Sequence, residues 1–421
     1  MSPAAYLDAH ANDLVGLLRR LVQFATVNPP GQHYDPITAL LTRELQSAGL
    51  RARRLTIPAA TQRRTLSKDQ WTYPRYNVVG FWPVKGARKT IHFNAHYDVV
   101  PVSGNWKYGG AFSGKEDGGW VYGRGTADMK GSIASLLLAL RALRAASTQP
   151  RLNVEVSFTA DEETDSLLGA GWLVKNAPIH PNYAVVMEGG EGNAVCCGHN
   201  GVVWLDVLVH GKAAHGSKPE DGVNAFEKMA ALTLALEAHK RELARRRFKT
   251  PDGKIMAPTL NVGGVFAQGC GGKINTVPAE ARFSIDRRVL ATESVESCER
   301  ELRAFLFSSA RRIPQCRISI EKVSDNYPCY TPPTDPLFAA MAQAVGRVRR
   351  RPVVFNVSTG FNDMHFFSHH LKIPTLGYGP AGQNHHGVDE RARVVDLVNT
   401  AKIYAELLQT FDGGTGISSA S

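Results

Sequence analysis

Thr90-Ile91-His92-Phe93-Asn94-Ala95-His96-Tyr97-Asp98-Val99-Val100-Pro101 opens as an apolar run and closes on a proline. The run reads as a buried strand leaving a sheet. Side chains alternate faces along an extended segment, so His96 and Asp98 share one side and the carboxylate can accept the second imidazole N–H. That is how a metal-binding histidine is oriented. A surface histidine beside a turn aspartate has the same spelling, so the reading depends on whether ligand-type residues follow other strands as well.

They do. Trp120-Val121-Tyr122-Gly123-Arg124-Gly125-Thr126-Ala127-Asp128-Met129-Lys130-Gly131 leads into an apolar helix over 132–146. Its glycines permit a tight turn that sets Asp128 at a helix start, where a plain N-cap is the alternative. Neither the P-loop pattern nor a dinucleotide fingerprint is present. A strand over 152–159 ends in Asp161-Glu162-Glu163, three acids whose mutual repulsion calls for a cation. Adjacent side chains diverge, so one glutamate can bind a metal while the other faces a reacting water. Tyr183-Ala184-Val185-Val186-Met187-Glu188 repeats the device, and a strand over 373–377 precedes Gly379-Pro380-Ala381-Gly382-Gln383-Asn384-His385-His386. Ligands of an α/β site belong at the carboxyl ends of strands, and all these candidates fall there.

Between the two sets the pattern changes. Strand 202–209, helix 224–243, strands 259–266 and 281–289, helix 293–306 and strand 317–323 spell βαββαβ, the ferredoxin-like plan, inserted into the first domain. The expected division is 1–199 plus 328–421 for an α/β domain with a mostly parallel central sheet flanked by helices, and 200–327 for the insert. Leu14, Leu17, Leu18, Leu21 and Val22 predict an amphipathic helix over 8–24, ended by Asn28-Pro29-Pro30-Gly31. A second helix follows near 35–48. Residues 58–75 are polar and basic and read as a surface insertion. Helices at 335–350, after Asn362-Asp363 and at 394–410, a strand at 353–355 and a Gly/Ser tail from 412 complete the chain.

The 421 residues exceed one ordinary core, and 43% hydrophobic with 21% charged residues is a globular composition. No apolar stretch of about 20 residues is present to span a membrane, and no apolar core of a signal peptide opens the chain, so a cytoplasmic protein is expected. Six cysteines without a C-x-x-C spacing resemble neither a disulfide framework nor a zinc ribbon. The net charge of +11 suits anionic small substrates. Basic clusters at 245–249 and 347–351 lie in or beside helices and read as solvated faces, so no nucleic acid partner is expected.

In order and over nearly its whole length the chain resembles the zinc metallopeptidase and deacylase family of acetylornithine deacetylase, succinyl-diaminopimelate desuccinylase, aminoacylase and glutamate carboxypeptidase. His-x-Asp-Val-Val-Pro, Gly-Arg-Gly-x-x-Asp-Met-Lys-Gly, Asp-Glu-Glu, the insert and His386-x-x-x-Glu390 carry the resemblance. It implies two zinc ions, with cobalt able to substitute, bridged by Asp128. His96 and Glu188 would hold one, Glu163 and His386 the other, with His385 as the fallback ligand. Asp98 would stand behind His96, and Glu162 would be the general base and acid. It further implies that His215 donates to the oxyanion, across a homodimer of inserts in some relatives, and that Asn275 and Arg288 grip the substrate carboxylate. The Gly-Gly-Thr/Ser-Asp stretch that lines the pocket in relatives appears as Thr359-Gly360-Phe361-Asn362-Asp363, so Gly360 is carried over, while Phe361, His365 and the Cys196-Cys197 pair are departures. The implied activity is hydrolysis of an N-acyl amino acid or a C-terminal peptide bond. A dipeptidase or aminoacylase is the alternative, and a non-catalytic binding protein on the same scaffold is the rival from another class.

Overall fold

The structure, a computed structural model, describes residues 1–268 and 273–414; most of the expected Gly/Ser tail, 415–421, lies outside the described residues. The chain divides into two compact units. One holds residues 1–198, 331–356 and 362 onward, the other residues 199–330 with 357–361.

In the first unit the strands of a large mixed sheet run in the order Arg51–Thr56, Tyr76–Trp82, Asn153–Thr159, Thr90–His96, Tyr183–Val186, Thr375–Gly377, Ala194–His199. The four from Asn153–Thr159 to Thr375–Gly377 are mutually parallel, and those outside them pair antiparallel. Parallel strands are covered on both faces, and every residue of Thr90–His96 is buried. The helix Lys130–Ala145 packs beneath the sheet beside Val394–Thr410. Its first turn sits so close to the preceding loop that a Cβ at Gly131 would lie 2.3 Å from the Thr126 carbonyl oxygen, and only glycine permits that approach. A small sheet of Gly382–Gln383, Arg391–Arg393, Trp120–Tyr122 and Lys115–Asp117 ties the loop before this helix to the loop carrying His386.

Several elements differ from expectation. The helix expected over 8–24 is two, Pro3–Ala9 and Ala11–Gln23, because His10 leaves helical geometry and stacks on Tyr6 at 3.7 Å. The apolar face Leu14, Leu17, Leu18, Leu21, Val22 is buried in the second. Arg51–Thr56 is a strand that hydrophobic periodicity could not reveal, since it is a mostly exposed, cationic edge. After Asn362-Asp363 the chain makes only a π-helical turn, Phe366–His370. The 58–75 stretch contains a helix, Ala59–Thr65, and is largely exposed, but its last residue, Arg75, is fully buried.

The second unit is a four-stranded antiparallel sheet in the order Thr259–Gln268, Glu280–Val289, Gly201–His210, Arg317–Asn326, covered by helices Ala225–Leu243 and Val295–Arg312. This is the ferredoxin-like order. Val203, Leu205, Val207 and Val209 meet Leu232, Leu236, Leu302 and Leu306 in its core. The second helix begins later than Glu293 because that glutamate pairs with Arg246 and Arg287, leaving Ser294 to cap Ser297. No helix among the described residues is long and apolar enough to cross a membrane.

Candidate active site

Four parallel strands end side by side, and each ends on or leads to a residue of one cluster: His96 at a strand's last position, Glu162 with Glu163 and Glu188 just past theirs, and His386 on the loop after Thr375–Gly377. Asp128 comes from the small-sheet side. Its Oδ1 lies 3.0 Å from His96 Nε2 and its Oδ2 3.1 Å from His386 Nε2, so one carboxylate sits between two imidazoles. His96 Nε2 is also 3.6 Å from Glu188 and 3.8 Å from Glu162, and His386 Nε2 is 3.3 Å from Glu163. Potential ligand atoms of His96, Glu162 and Glu188, and of His96, Asp128 and Glu163, lie within 4.8 Å of one another in each set. His385 Nε2 lies beside Gly189 and Gly382.

Asp98 does more than expected. The nearest acceptor for His96 Nδ1 is the Asp98 main-chain oxygen at 3.1 Å, with its carboxylate at 3.5 Å. A proton on Nδ1 leaves the Nε2 lone pair facing the cluster. The Asp98 carboxylate itself accepts the backbone N–H groups of Glu162 and Glu163 and the side-chain amide of Asn28. It therefore positions both glutamates.

Four supporting residues escaped the sequence reading. Asp161, in the left-handed region at φ 60°, accepts Arg75 Nε at 2.8 Å, the Tyr34 hydroxyl at 2.8 Å and Asn28 Nδ2 at 3.1 Å. Arg75 thus anchors the turn that presents Glu162 and Glu163, which corrects its placement in a surface insertion. Glu390, read only as a spacing mark, is fully buried and accepts the N–H groups of Gly125, Ala127 and Asp128 at 3.0 to 3.1 Å and Arg124 Nη1 at 2.5 Å. Arg124 also donates to the His386 carbonyl oxygen. The loop can wrap around this carboxylate because Gly125 adopts φ 88°. One buried acid therefore holds Asp128 and the His386 loop together. The signal available in sequence was the motif itself; what its arginine and glycines contact was not readable from it.

The electrostatics follow from crowding acids in a buried place. Burial, then the neighbouring Asp128 charge, pushes Glu188 up to about 8. Burial also raises Glu162 well above the carboxylate range, against the attraction of His96 and with help from Glu188, Asp363 and Glu163. Glu163 is raised by burial, and Asp363, held by Ser166, is raised by burial to about 6. Burial acts the same way on Asp128, but the hydrogen bonds from His386 and His96 outweigh it and keep that carboxyl low. Hydrogen bonds to Asp128 and Glu163 lift His386 to about 10. Burial opposes charge on His96, yet Asp128 and Asp98 raise it well above its usual value. Imidazoles and carboxylates that must share protons to stay together are a donor set suited to divalent cations, with Asp128 shaped to serve two.

The remaining candidates, His215, Asn275, Arg288 and Gly360, belong to the second unit. His215 is exposed, and the Ser217 backbone N–H donates to its Nδ1, which puts the proton of the neutral ring on Nε2. The Gly216 N–H donates to the Asn275 carbonyl oxygen at 2.7 Å, so the His215 and Asn275 loops lie together. Arg288 donates to Asp286, and the Gly360 N–H to Ser358 Oγ.

Comparison with known proteins agrees with this geometry. Residues 92–410 match peptidase family M20/M25/M40. The succinyl-diaminopimelate desuccinylase of Rhodopseudomonas palustris is 28% identical over 335 residues, 76% of this chain and 82% of that protein. The acetylornithine deacetylase of Proteus mirabilis is 29% identical over 319 residues, 75% of this chain and 78% of its own. An aminopeptidase from Bacillus cereus shares the fold with a TM-score of 0.74 at 21% identity, covering 95% of this chain and 98% of that one. The chain belongs to peptidase family M20/M25/M40 and is a metal-dependent amide hydrolase.

Proposed function

We propose that this protein is a di-zinc deacylase or carboxypeptidase that hydrolyses the amide bond of an N-acyl amino acid or a C-terminal residue, releasing a free amine and a carboxylate. The observation that carries the reading is Asp128 between the imidazoles of His96 and His386, with Glu188 and Glu163 completing a set on either side. His96, Asp128 and Glu188 would hold one cation, and Asp128, Glu163 and His386 the other. When bound, such a pair supplies an acidified water and a polarised scissile carbonyl. Glu162, the acid of the cluster not assigned to either cation, takes the water's proton and hands it to the leaving nitrogen, a role worth about 10²- to 10⁴-fold. Asp98 keeps that glutamate in place through the Glu162 N–H.

The insert supplies the rest. Exposed His215, with its proton on Nε2, donates to the oxyanion, within a homodimer formed through the inserts. Asn275 and Arg288 receive the substrate carboxylate, for which the arginine's planar fork is suited, and Gly360 lies along the substrate path. The similarity to a succinyl-diaminopimelate desuccinylase and an acetylornithine deacetylase supports the N-acyl amino acid reading.

Glu162→Gln is the test. The variant is expected to retain about two metal ions per chain and lose nearly all turnover, assayed as free amine released from N-acetyl and N-succinyl amino acids and dipeptides with zinc, with cobalt and with chelator. Turnover near the parent rate would remove Glu162 from the mechanism.

A further inference from the structure

A cavity of about 1080 Å³ opens in the first unit at the end of the sheet away from the cluster. Arg151 stands two residues before the strand Asn153–Thr159, and Lys85 five before Thr90–His96, whereas the candidate ligands follow the opposite ends of the same strands. Those strands are seven residues long, and at roughly 3.3 Å per residue they put about 20 Å between the cavity and the cluster. This is a separate place.

Its walls carry Arg51, Lys85, Arg144 and Arg151 and no carboxylate. Some arginines of this unit pair with acids, Arg20 and Arg141 with Glu44, Arg54 with Asp35, Arg349 with Asp396, while others, such as Arg19 and Arg391, bond only to neutral oxygens. The cations around the cavity pair with no acid among the described residues either. Arg51 and Lys85 have no side-chain partner among the described residues, while two of the guanidinium groups are tethered by main-chain oxygens. Arg144 lies 3.6 Å over the Trp82 ring and donates to the Ala48 and Gly49 carbonyls, and Arg151 Nε donates to Gln409 O. Tethering to neutral acceptors holds the charges around the cavity without neutralising them. Cations lining a concavity recognise phosphate oxygens, and the two guanidinium groups already held by carbonyls, Arg144 and Arg151, lose little freedom on binding with their remaining N–H groups. The concave form favours a compact ligand over a nucleic acid backbone, which would need a linear track of cations.

We propose that this cavity binds a small, multiply phosphorylated molecule at a site distinct from the metal centre. Thr148, Gln149 and Gln409 on its walls can take the ligand's hydroxyl groups.

The probe is fructose 1,6-bisphosphate, a weak chelator, titrated by calorimetry into the metal-loaded protein. One saturable site per chain is expected, with affinity reduced about 10-fold or more in Arg51→Ala, Lys85→Ala and Arg151→Ala and essentially unchanged in Arg245→Ala, an exposed cation on the second unit. All four residues are exposed, so the variants should fold, and the Lys85 side chain makes no hydrogen bond or ion pair among the described residues. Four results would overturn the proposal. The first is the absence of saturable binding. The second is equal weakening in all four variants, which means diffuse attraction. The third is binding abolished by His386→Ala but indifferent to the cavity variants, which places the ligand at the metal centre. The fourth is a short DNA duplex that binds through the cavity arginines more tightly than the bisphosphate, which makes the face a nucleic acid surface instead.

Discussion

Asp128 points one oxygen at each of two imidazoles, and the acid–base behaviour of the centre follows from that residue. With no cation bound at pH 7, Glu188, raised to about 8, and His386, raised to about 10, both hold protons. In the proposed centre the cations take both groups deprotonated, so adding zinc to the chelated protein at pH 7 should release at least one proton, read by calorimetry in buffers of differing ionisation enthalpy. Zero release would contradict this picture. The stability linkage has a definite sign. A histidine raised above its unfolded value near 6.5 stabilises fully below that pH and loses the effect as pH rises through about 10. The metal-free Tm difference between the parent and His386→Ala should shrink across that window. Arg75 makes a different prediction. Arg75→Ala leaves Asp161 buried without its cation, and chemical denaturation should show a loss of about 3 to 5 kcal/mol. Nothing in the polar run 58–75 distinguishes this arginine from its exposed neighbours, because its partner lies 86 residues away.

At the scale of elements, the two central strands carry a line of polar side chains toward the site. His92, Asn94 and His96 share one face of their strand and stand in register with Glu155, Ser157 and Thr159. His92 Nδ1 lies 3.2 Å from Glu155 and its Nε2 2.7 Å from Ser157 Oγ; Asn94 Nδ2 donates to Ser157 Oγ and Thr159 Oγ1. Strands buried on both faces ordinarily read as unbroken apolar runs. Here one face, Ile91, Phe93 and Ala95, keeps that rule, and the other gives it up to a hydrogen-bonded ladder that ends at Thr159, in register with His96. Ser157→Ala should strand the groups bonded to it and cost about 1 to 3 kcal/mol by urea titration. A change below about 0.5 kcal/mol would show that the ladder carries no weight. Elements with strong periodicity were legible: the helix expected over 394–410 forms as Val394–Thr410. The edge strand Arg51–Thr56 was not, since an exposed cationic edge lacks an apolar pattern.

At the scale of the whole molecule, the proposed assignment of His215 to catalysis across a dimer makes its own prediction. Subunits carrying His215→Ala, mixed with subunits carrying Glu162→Gln, should regain part of the activity that each lacks alone, because one mixed centre is intact. No recovery, with mixed dimers demonstrated, would leave His215 without that role. The sequence by itself determined that acids and histidines follow apolar runs, since a strand's end is a local property of the chain, and its motifs carried the resemblance from which His96, Asp128, Glu162, Glu163, Glu188 and His386 were singled out. It also determined the ferredoxin-like insert, whose βαββαβ order is written in alternating periods. Only the tertiary structure decided that Asp128 lies between His96 and His386, that Glu390 gathers the loop N–H groups beneath it, and that Arg75 answers Asp161. Those are pairings of buried polar groups, and each is chosen by the need to satisfy a desolvated charge with whatever residue folding brings within reach, at any distance along the chain.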